Sequence, residues 1–286
     1  PAGGLPIHTI QGASHVSPLV GSTVTTRGIV TALESNGYFL QDPVPDADPA
    51  TSEGIFVFTS SAPTVHVGDD VEVTGKVNEF RSGCSSCAPS SSAYANLTNT
   101  ELGTLTNQAV LSGGHALPAP VVLGGGGRVP PTTVIEDDAG GDVEVVANTF
   151  DPDSDGLDFY ESLEAMRVQV NDAVAVGPTA TFSGGSLELP VLADNGSGAS
   201  VRTARGGIVL SANDFNPERI TLAKALAALT TMATDQFLAI NAAPASLHDD
   251  RILELLEASD LSRLVVEITE HDAVNDYGLT RETLAV

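Results

Sequence analysis

The residues Asp151-Pro-Asp-Ser-Asp-Gly-Leu-Asp158 set carboxylates at alternate positions, with a glycine after the third. A loop of that pattern curls around a hard cation, because oxygens at every second residue turn to one side and the glycine permits a sharp bend. Asp151, Asp153, Asp155 and Asp158 are therefore expected to hold calcium in a structural role. The acid that closes a twelve-residue calcium loop belongs at Ser162; Glu161 falls one residue early, and Asp158 is the alternative closing ligand. A solvated acidic turn is the competing reading of the same residues. A second acidic loop, with Asp42, Asp46, Asp48 and Glu53, could bind a cation, but its spacing by Pro and Ala is loose, and an exposed loop is the competing reading.

Other chemistries find less. Cys84 and Cys87 make one C-x-x-C in a Ser-rich stretch. Zinc needs four ligands and no second pair is present; a redox C-x-x-C should open a helix after a parallel strand. A local disulfide in an oxidising compartment is the expectation, with two free thiols as the alternative. The six histidines are scattered, and no G-x-S-x-G elbow marks a nucleophile. Gly124 to Gly127 is not followed by Lys-Ser/Thr, so it is not a phosphate loop.

The net charge of −25, with Lys76 and Lys224 the two lysines, gives a surface that repels phosphate backbones and anionic membranes. Any contact with extracellular DNA is expected to be weak and local. Aromatic residues on small-barrel strands are the natural stacking platform. Of Tyr38, Phe39, Phe56 and Phe58, at least half should face a core by strand alternation. Tyr38 is the expected exposed one, with Arg27, Lys76 and Arg81 as the neighbouring cations. No run of about 18 apolar residues exists, so no membrane-spanning helix is expected.

These groups need elements to position them. A hydrophobic content of 42% supports packed cores. From about residue 20 to 110 the pattern is β: Gly54–Phe58 is a continuous apolar run, and Val71–Val77 alternates apolar and polar. Val20-Gly-x-x-Val24-x-x-x-Gly28-x-Val30 and Val67-Gly-x-x-Val71-x-x-x-Gly75-x-Val77 share one pattern. In each, the first glycine suits a turn, and the second marks a bulge or bend inside a strand. Residues 113–131 are rich in Gly and Pro and read as a linker or a long loop. Strands are expected at Val143–Val146, Met166–Val170, Leu187–Val191 and Gly207–Leu210. Near residue 220 the pattern changes to α/β: a helix over Leu222–Met232, a strand at Phe237–Ile240, a helix over Asp249–Ala258 and a strand at Leu264–Ile268.

Two family resemblances sit on this frame. Ile7-His-Thr-Ile-Gln-Gly12, His15-Val-Ser-Pro-Leu-Val-Gly21, Gly37-Tyr-Phe-Leu-Gln-Asp-Pro43, Pro49–Val57, Val67–Val71, Asp158–Arg167 and Asp214-Phe-Asn-Pro-Glu-Arg-Ile220 run collinearly. Together they resemble secreted bacterial nucleases that carry an OB-like domain ahead of an endonuclease/exonuclease/phosphatase domain. The family's glycine in its Leu-Glu-Gly-Met stretch is Ala165 here. The resemblance implies secretion, a processed start before Pro1, and a nuclease catalytic domain missing from these residues as partner.

Leu238–Leu247 and Val265-Val-Glu-Ile-Thr-Glu-His271 resemble part of an EAL domain, the cyclic di-GMP phosphodiesterase family. By that resemblance Asn241 and Glu270 match two metal ligands, which would take magnesium or manganese only with the parts not found here. The family's Glu-Ala-Leu strand is missing, and Glu164-Ala-Met-Arg167 only mimics it. The expected fold is therefore mainly β: an OB-like β-barrel over 1–112, the 113–131 linker, a second β-rich domain over 132–220, and at 221–286 a truncated EAL-like α/β segment resembling part of a TIM-type barrel. The expected function is a non-catalytic accessory region of a secreted nuclease, calcium-stabilised and weakly nucleic-acid-binding. The alternative is an inactive fragment of a cyclic di-GMP phosphodiesterase in a fused chain.

Overall fold

The computed structural model describes residues 4–84, 86–91, 94, 96–145, 148–178, 180–181, 187–223, 238–242 and 264–268. It is mainly β. Two compact units emerge: residues 1–170 with 213–217, and residues 171–212 with 218–286.

The first unit is built on β1 (Thr23–Glu34), β2 (Gly37–Gln41), β3 (Gly54–Phe58), β4 (Asp70–Arg81) and β5 (Thr98–Ser112). These five close into a barrel in the order β1-β2-β3-β5-β4. All neighbours are antiparallel except β3 and β5, which pair in parallel at Phe56↔Glu101 and Val57↔Leu102. Val30, Leu40, Ile55, Val57, Val71, Val73, Val77 and Leu102 fill the interior. They are mostly β-branched, as suits a pleated, buried surface. A short helix, α1 (Ile7–Gln11), adds Ile7 and Ile10 to the same core.

The repeated glycine pattern has a structural meaning. Gly21 (φ 84°) and Gly68 (φ 87°) both turn the chain in the left-handed region, where a side chain is disfavoured. The two copies then pair with each other. In the β1–β4 ladder Val24 lies opposite Gly75 and Gly28 opposite Val71. A Cβ on Gly28 would lie 2.7 Å from the Gln41 carbonyl oxygen, and one on Gly75 would lie 2.9 Å from that of Gly103. The missing side chains let strands press together where the barrel bends. A register shift brackets Gly75, between Thr74 and Lys76. In β1 the shift falls between Val30 and Ala32, beyond Gly28.

Residues 113–131 do not separate the two units. They belong to the first, where the His115 amide donates to the Gly68 carbonyl at 2.9 Å. Within them β6 (Val121–Leu123) pairs in parallel with β7 (Val168–Val170). The first unit also contains α2 (Gly156–Glu161). The expected strand at Val143–Val146 is a turn over its described residues: Asp142 Oδ1 accepts from the Glu144 amide at 3.0 Å, the local side-chain bond that competes with a ladder.

In the second unit, β8 (Val174–Ala175), β9 (Ala180–Thr181), β10 (Leu187–Leu192) and β11 (Ile220–Ala223) form one antiparallel sheet around β10. Gly207–Leu210 is not a strand; after the turn at Gly206 (φ 85°), Ile208 makes an isolated bridge with Arg202, and the Ile208 and Val209 amides donate to the Val176 and Val201 carbonyls. Leu222, expected to open a helix, lies in β11; residues 224–232 and the helix expected at 249–258 lie outside the described residues. Finally, β12 (Leu238–Ala242) pairs in parallel with β13 (Leu264–Ile268), the arrangement expected of an α/β segment. No described helix is long and apolar enough to cross a membrane.

Adding one methyl group where the repeated glycines sit should therefore cost stability. G28A and G75A are each expected to lose about 1–3 kcal/mol by overpacking, read from urea unfolding midpoints. Unchanged midpoints would show that the strands can part without cost.

Candidate functional site

The acidic loop is organised by its backbone. The Asp151 carbonyl accepts from the amides of Ser154 (2.8 Å) and Asp155 (3.2 Å), and α2 begins directly after. The amides of Gly156 and Leu157 donate to the carbonyls of Val134 and Ile135 at 3.1 and 3.0 Å. This lays residues 134–136 beside the start of α2 and brings Glu136 to the loop. Gly156 does not have a positive φ. Its use is close approach: a Cβ there would lie 2.5 Å from Pro217 Cβ.

Asp151, Asp155 and Asp158 bring carboxylate oxygens within 4.8 Å of one another, and a ring nitrogen of His15 lies as close to carboxylate oxygens of Glu136 and Asp158. Asp155 stands at the N-cap of α2 yet makes no side-chain cap bond. It is fully buried, and neither of its oxygens has a hydrogen-bond donor. The Asp137 amide is close enough to moderate its charge but does not reach hydrogen-bond geometry. Burial first, then the Glu136 and Asp151 carboxylates, pushes the Asp155 pKa up to about 6. Asp151 Oδ1 and Glu136 Oε2 are likewise hidden from solvent without a donor. Asp153 is exposed and outside the cluster.

Asp158 is differently placed. Its Oδ2 accepts from the Asp151 amide and its Oδ1 from His15 Nε2, each at 2.7 Å. His15 is buried, edge-on to Phe150, with Nδ1 3.4 Å from Glu161 Oε2. Burial opposes charge on His15, but Glu161 and Asp158 outweigh it and raise its pKa. Burial also raises the Asp158 pKa, against the Asp151 and His15 donors. The His15 shift favours the ion pair and the Asp158 shift opposes it; two N–H donors at 2.7 Å decide for an ionised Asp158.

More contacts tie this region to the barrel. Gln11 Nε2 donates to the Gly54 carbonyl (2.6 Å), Ser52 Oγ to the Glu164 carbonyl (2.6 Å), and the Arg167 amide to Gln41 Oε1 (3.0 Å). Gly54 lies against the backbone of Ala165, where a Cβ would come within 2.4 Å. Behind them Glu161 and Glu164 have pKa values raised by burial; the two carboxylates and Glu79 reinforce one another against ionising.

The expected nucleic-acid residues are placed as follows. Tyr38 points into the barrel: it is fully buried, its hydroxyl faces Gln108 at 3.1 Å, and burial raises its pKa. It therefore offers no stacking face. Strand alternation puts Phe39, Phe56 and Phe58 on the other side, half-buried, with the Phe39 and Phe56 rings paired across strands at 5.1 Å. Arg27 forks onto Asp70, with Nε 2.7 Å from Oδ1. Arg81 is held by Glu144 and by the Tyr94 and Asn96 carbonyls. Lys76 is exposed. Cys84 and Cys87 are joined by a disulfide. Asn241 lies on β12 opposite Glu267, and Glu270 lies outside the described residues.

Residues 122–241 match a family described as a domain of unknown function, DUF8508. That is less than half of the chain, and the match runs through residue 220, where a change of family was expected. No curated protein and no solved structure matches the chain.

Sequence reasoning missed Glu136 and the His15–Asp158 contact. The signal for Glu136 was present in the acidic run Glu136-Asp-Asp138. Nothing in the sequence links His15 to a residue 143 positions away. One substitution tests the local geometry. Ala165 has φ 57°, the left-handed region that favours glycine, which the nuclease-like pattern carries there. A165G is expected to stabilise the chain by about 0.5–1 kcal/mol, measured as a higher urea midpoint; a lower midpoint would mean that the alanine is unstrained.

Proposed function

We propose that residues 1–170 with 213–217 are an OB-like accessory module of a secreted bacterial nuclease, one that carries no phosphodiester chemistry itself and touches single-stranded nucleic acid weakly. The observation that carries the reading is the barrel order β1-β2-β3-β5-β4 with the outward Phe39–Phe56 pair on β2 and β3. In OB barrels the face of strands 2 and 3 is the one that meets oligonucleotides. Gly37 favours this use, because it leaves room for the Phe56 ring over β2: a Cβ there would lie 2.3 Å from the ring.

The nuclease relationship draws support from where its segments meet. Gln11, His15, Gln41, Ser52, Gly54, Asp158, Glu164, Ala165 and Arg167 all come from the collinear segments, and they contact one another. A pattern scattered over some 160 positions and converging on one joint is what a shared domain would preserve. Secretion is consistent with the Cys84–Cys87 disulfide. The nuclease's catalytic domain is the proposed partner and extracellular DNA the proposed target.

Electrostatics set the strength. With Arg27 and Arg81 engaged by acids and a net charge of −25, stacking rather than phosphate neutralisation must supply the affinity. For the C-terminal segment, the parallel β12–β13 pair supports the second reading, an inactive EAL-like fragment.

Fluorescence anisotropy with a labelled oligothymidine of about 12 nucleotides tests the module. Expected is a Kd on the order of 100 µM at low salt, a shallow salt dependence, and loss of binding in F39A/F56A. Cleavage of DNA and of cyclic di-GMP with magnesium, manganese or calcium should be undetectable. No binding at low salt, or equal binding by F39A/F56A, contradicts the proposed face; metal-dependent cleavage contradicts the accessory role.

A further inference from the structure

We infer that Glu136, Asp151 and Asp155, backed by Asp158, form a site for one hard divalent cation of the calcium class, and that this cation fastens the start of α2 to residues 134–136. The ligand set differs from the one the D-x-D-x-D-G spacing predicts: Asp153 is left out, and Glu136, from outside the loop, comes in. The inference does not depend on the nuclease relationship.

An acidic cluster alone would not carry this. The decisive observation is Asp155. Its side chain is fully buried, stands at a helix N-cap without capping, has no donor on either oxygen, and brings an oxygen within 4.8 Å of the carboxylates of Asp151 and Asp158. Asp151 Oδ1 and Glu136 Oε2 are also hidden and donor-free. Asp151 and Asp155 therefore bring donor-free oxygens together beside Asp158, and Glu136 brings its own to the other side of the same Asp158 carboxylate. Burying an unpaired carboxylate such as Asp155 costs several kcal/mol, and the neighbouring Asp151 and Glu136 carboxylates add to the cost. A cation removes both penalties at once.

The donor chemistry names its class. All the free donors are carboxylate oxygens, which suit calcium or magnesium rather than zinc or copper. They come from a loop and a separate segment, an adaptable arrangement that suits calcium's six to eight oxygens better than a strict octahedron. Asp158 already accepts from His15 and from the Asp151 amide. It thus links the cation to His15 and the amino-terminal segment.

The test uses the full chain, stripped of metal by chelator and then titrated with calcium chloride by isothermal calorimetry. One equivalent is expected to bind with a sub-millimolar Kd, and the melting temperature to rise by several degrees at about 2 mM calcium. D155N and E136Q should each weaken binding roughly tenfold or more, while D153N leaves it unchanged. Circular dichroism guards against misfolding. The metal-free D155N protein should be folded and at least as thermostable as the metal-free parent, because it loses a buried unpaired charge; metal-free E136Q should be folded too, since its side-chain oxygen still accepts from the Asp138 and Ala139 amides. Hydrogen exchange should show calcium-dependent protection within residues 134–162. No binding, an equal effect from magnesium at the same concentration, or D153N weakening calcium as much as D155N would overturn the inference.

Discussion

A carboxylate buried between distant segments can persist only if something supplies donors to it, and Asp158 receives two. One is the Asp151 amide, which closes the acidic loop; the other is His15, from a segment 143 positions away. A charged hydrogen bond of this kind out of water is both directional and costly to break. It fixes the entry of α2 relative to the amino-terminal segment. That segment includes α1, whose Ile7 and Ile10 complete the barrel core. The backbone bonds of Ser52, Gln11 and Gln41 repeat the same fastening along the joint.

The barrel itself depends on a different constraint, the close approach of chain at glycines: of neighbouring strands at Gly28, Gly37 and Gly75, and of the segment after α2 at Gly54. Gly54 connects the two. It admits the Ala165 backbone on one side, while its carbonyl accepts from Gln11. The chain following α2 therefore packs on the barrel only because β3 begins with a residue that has no side chain. Polar burial is concentrated here too. Glu164 is held toward its neutral form by desolvation and by the Glu161 and Glu79 carboxylates, and burial pushes Glu161 the same way against His15, so the joint carries less charge than its sequence implies.

Much of the barrel was legible in the sequence. Gly54–Phe58 and the alternating Val71–Val77 are strands as read, and the repeated V-G-x-x-V-x-x-x-G-x-V pattern marks two strands that pair with each other. At least half of the four strand aromatics were expected to face inward, but only Tyr38 does: Phe56 and Phe58 share one parity, and the barrel's register puts both on the side of Phe39. Tyr38 was placed outside and lies inside. The acidic loop was recognisable by spacing, yet spacing is blind to Glu136, which arrives through backbone bonds from Gly156 and Leu157. Composition left 113–131 as a linker or a long loop: Gly and Pro mark breaks in regular structure, not an absence of packing, and Arg167 holds the Pro118 carbonyl there within the first unit. Val143–Val146 had strand propensity, but the Asp142 turn prevailed over its described part.

The account rests on the His15–Asp158 contact joining the amino-terminal segment to α2. A double-mutant cycle with H15A, D158N and the pair, measured by urea unfolding in chelator, tests it most directly. The predicted coupling energy is about 1–3 kcal/mol, with the double variant little worse than either single one. Effects that add to within about 0.5 kcal/mol would contradict the contact and, with it, the joint on which the rest of the unit is argued to depend.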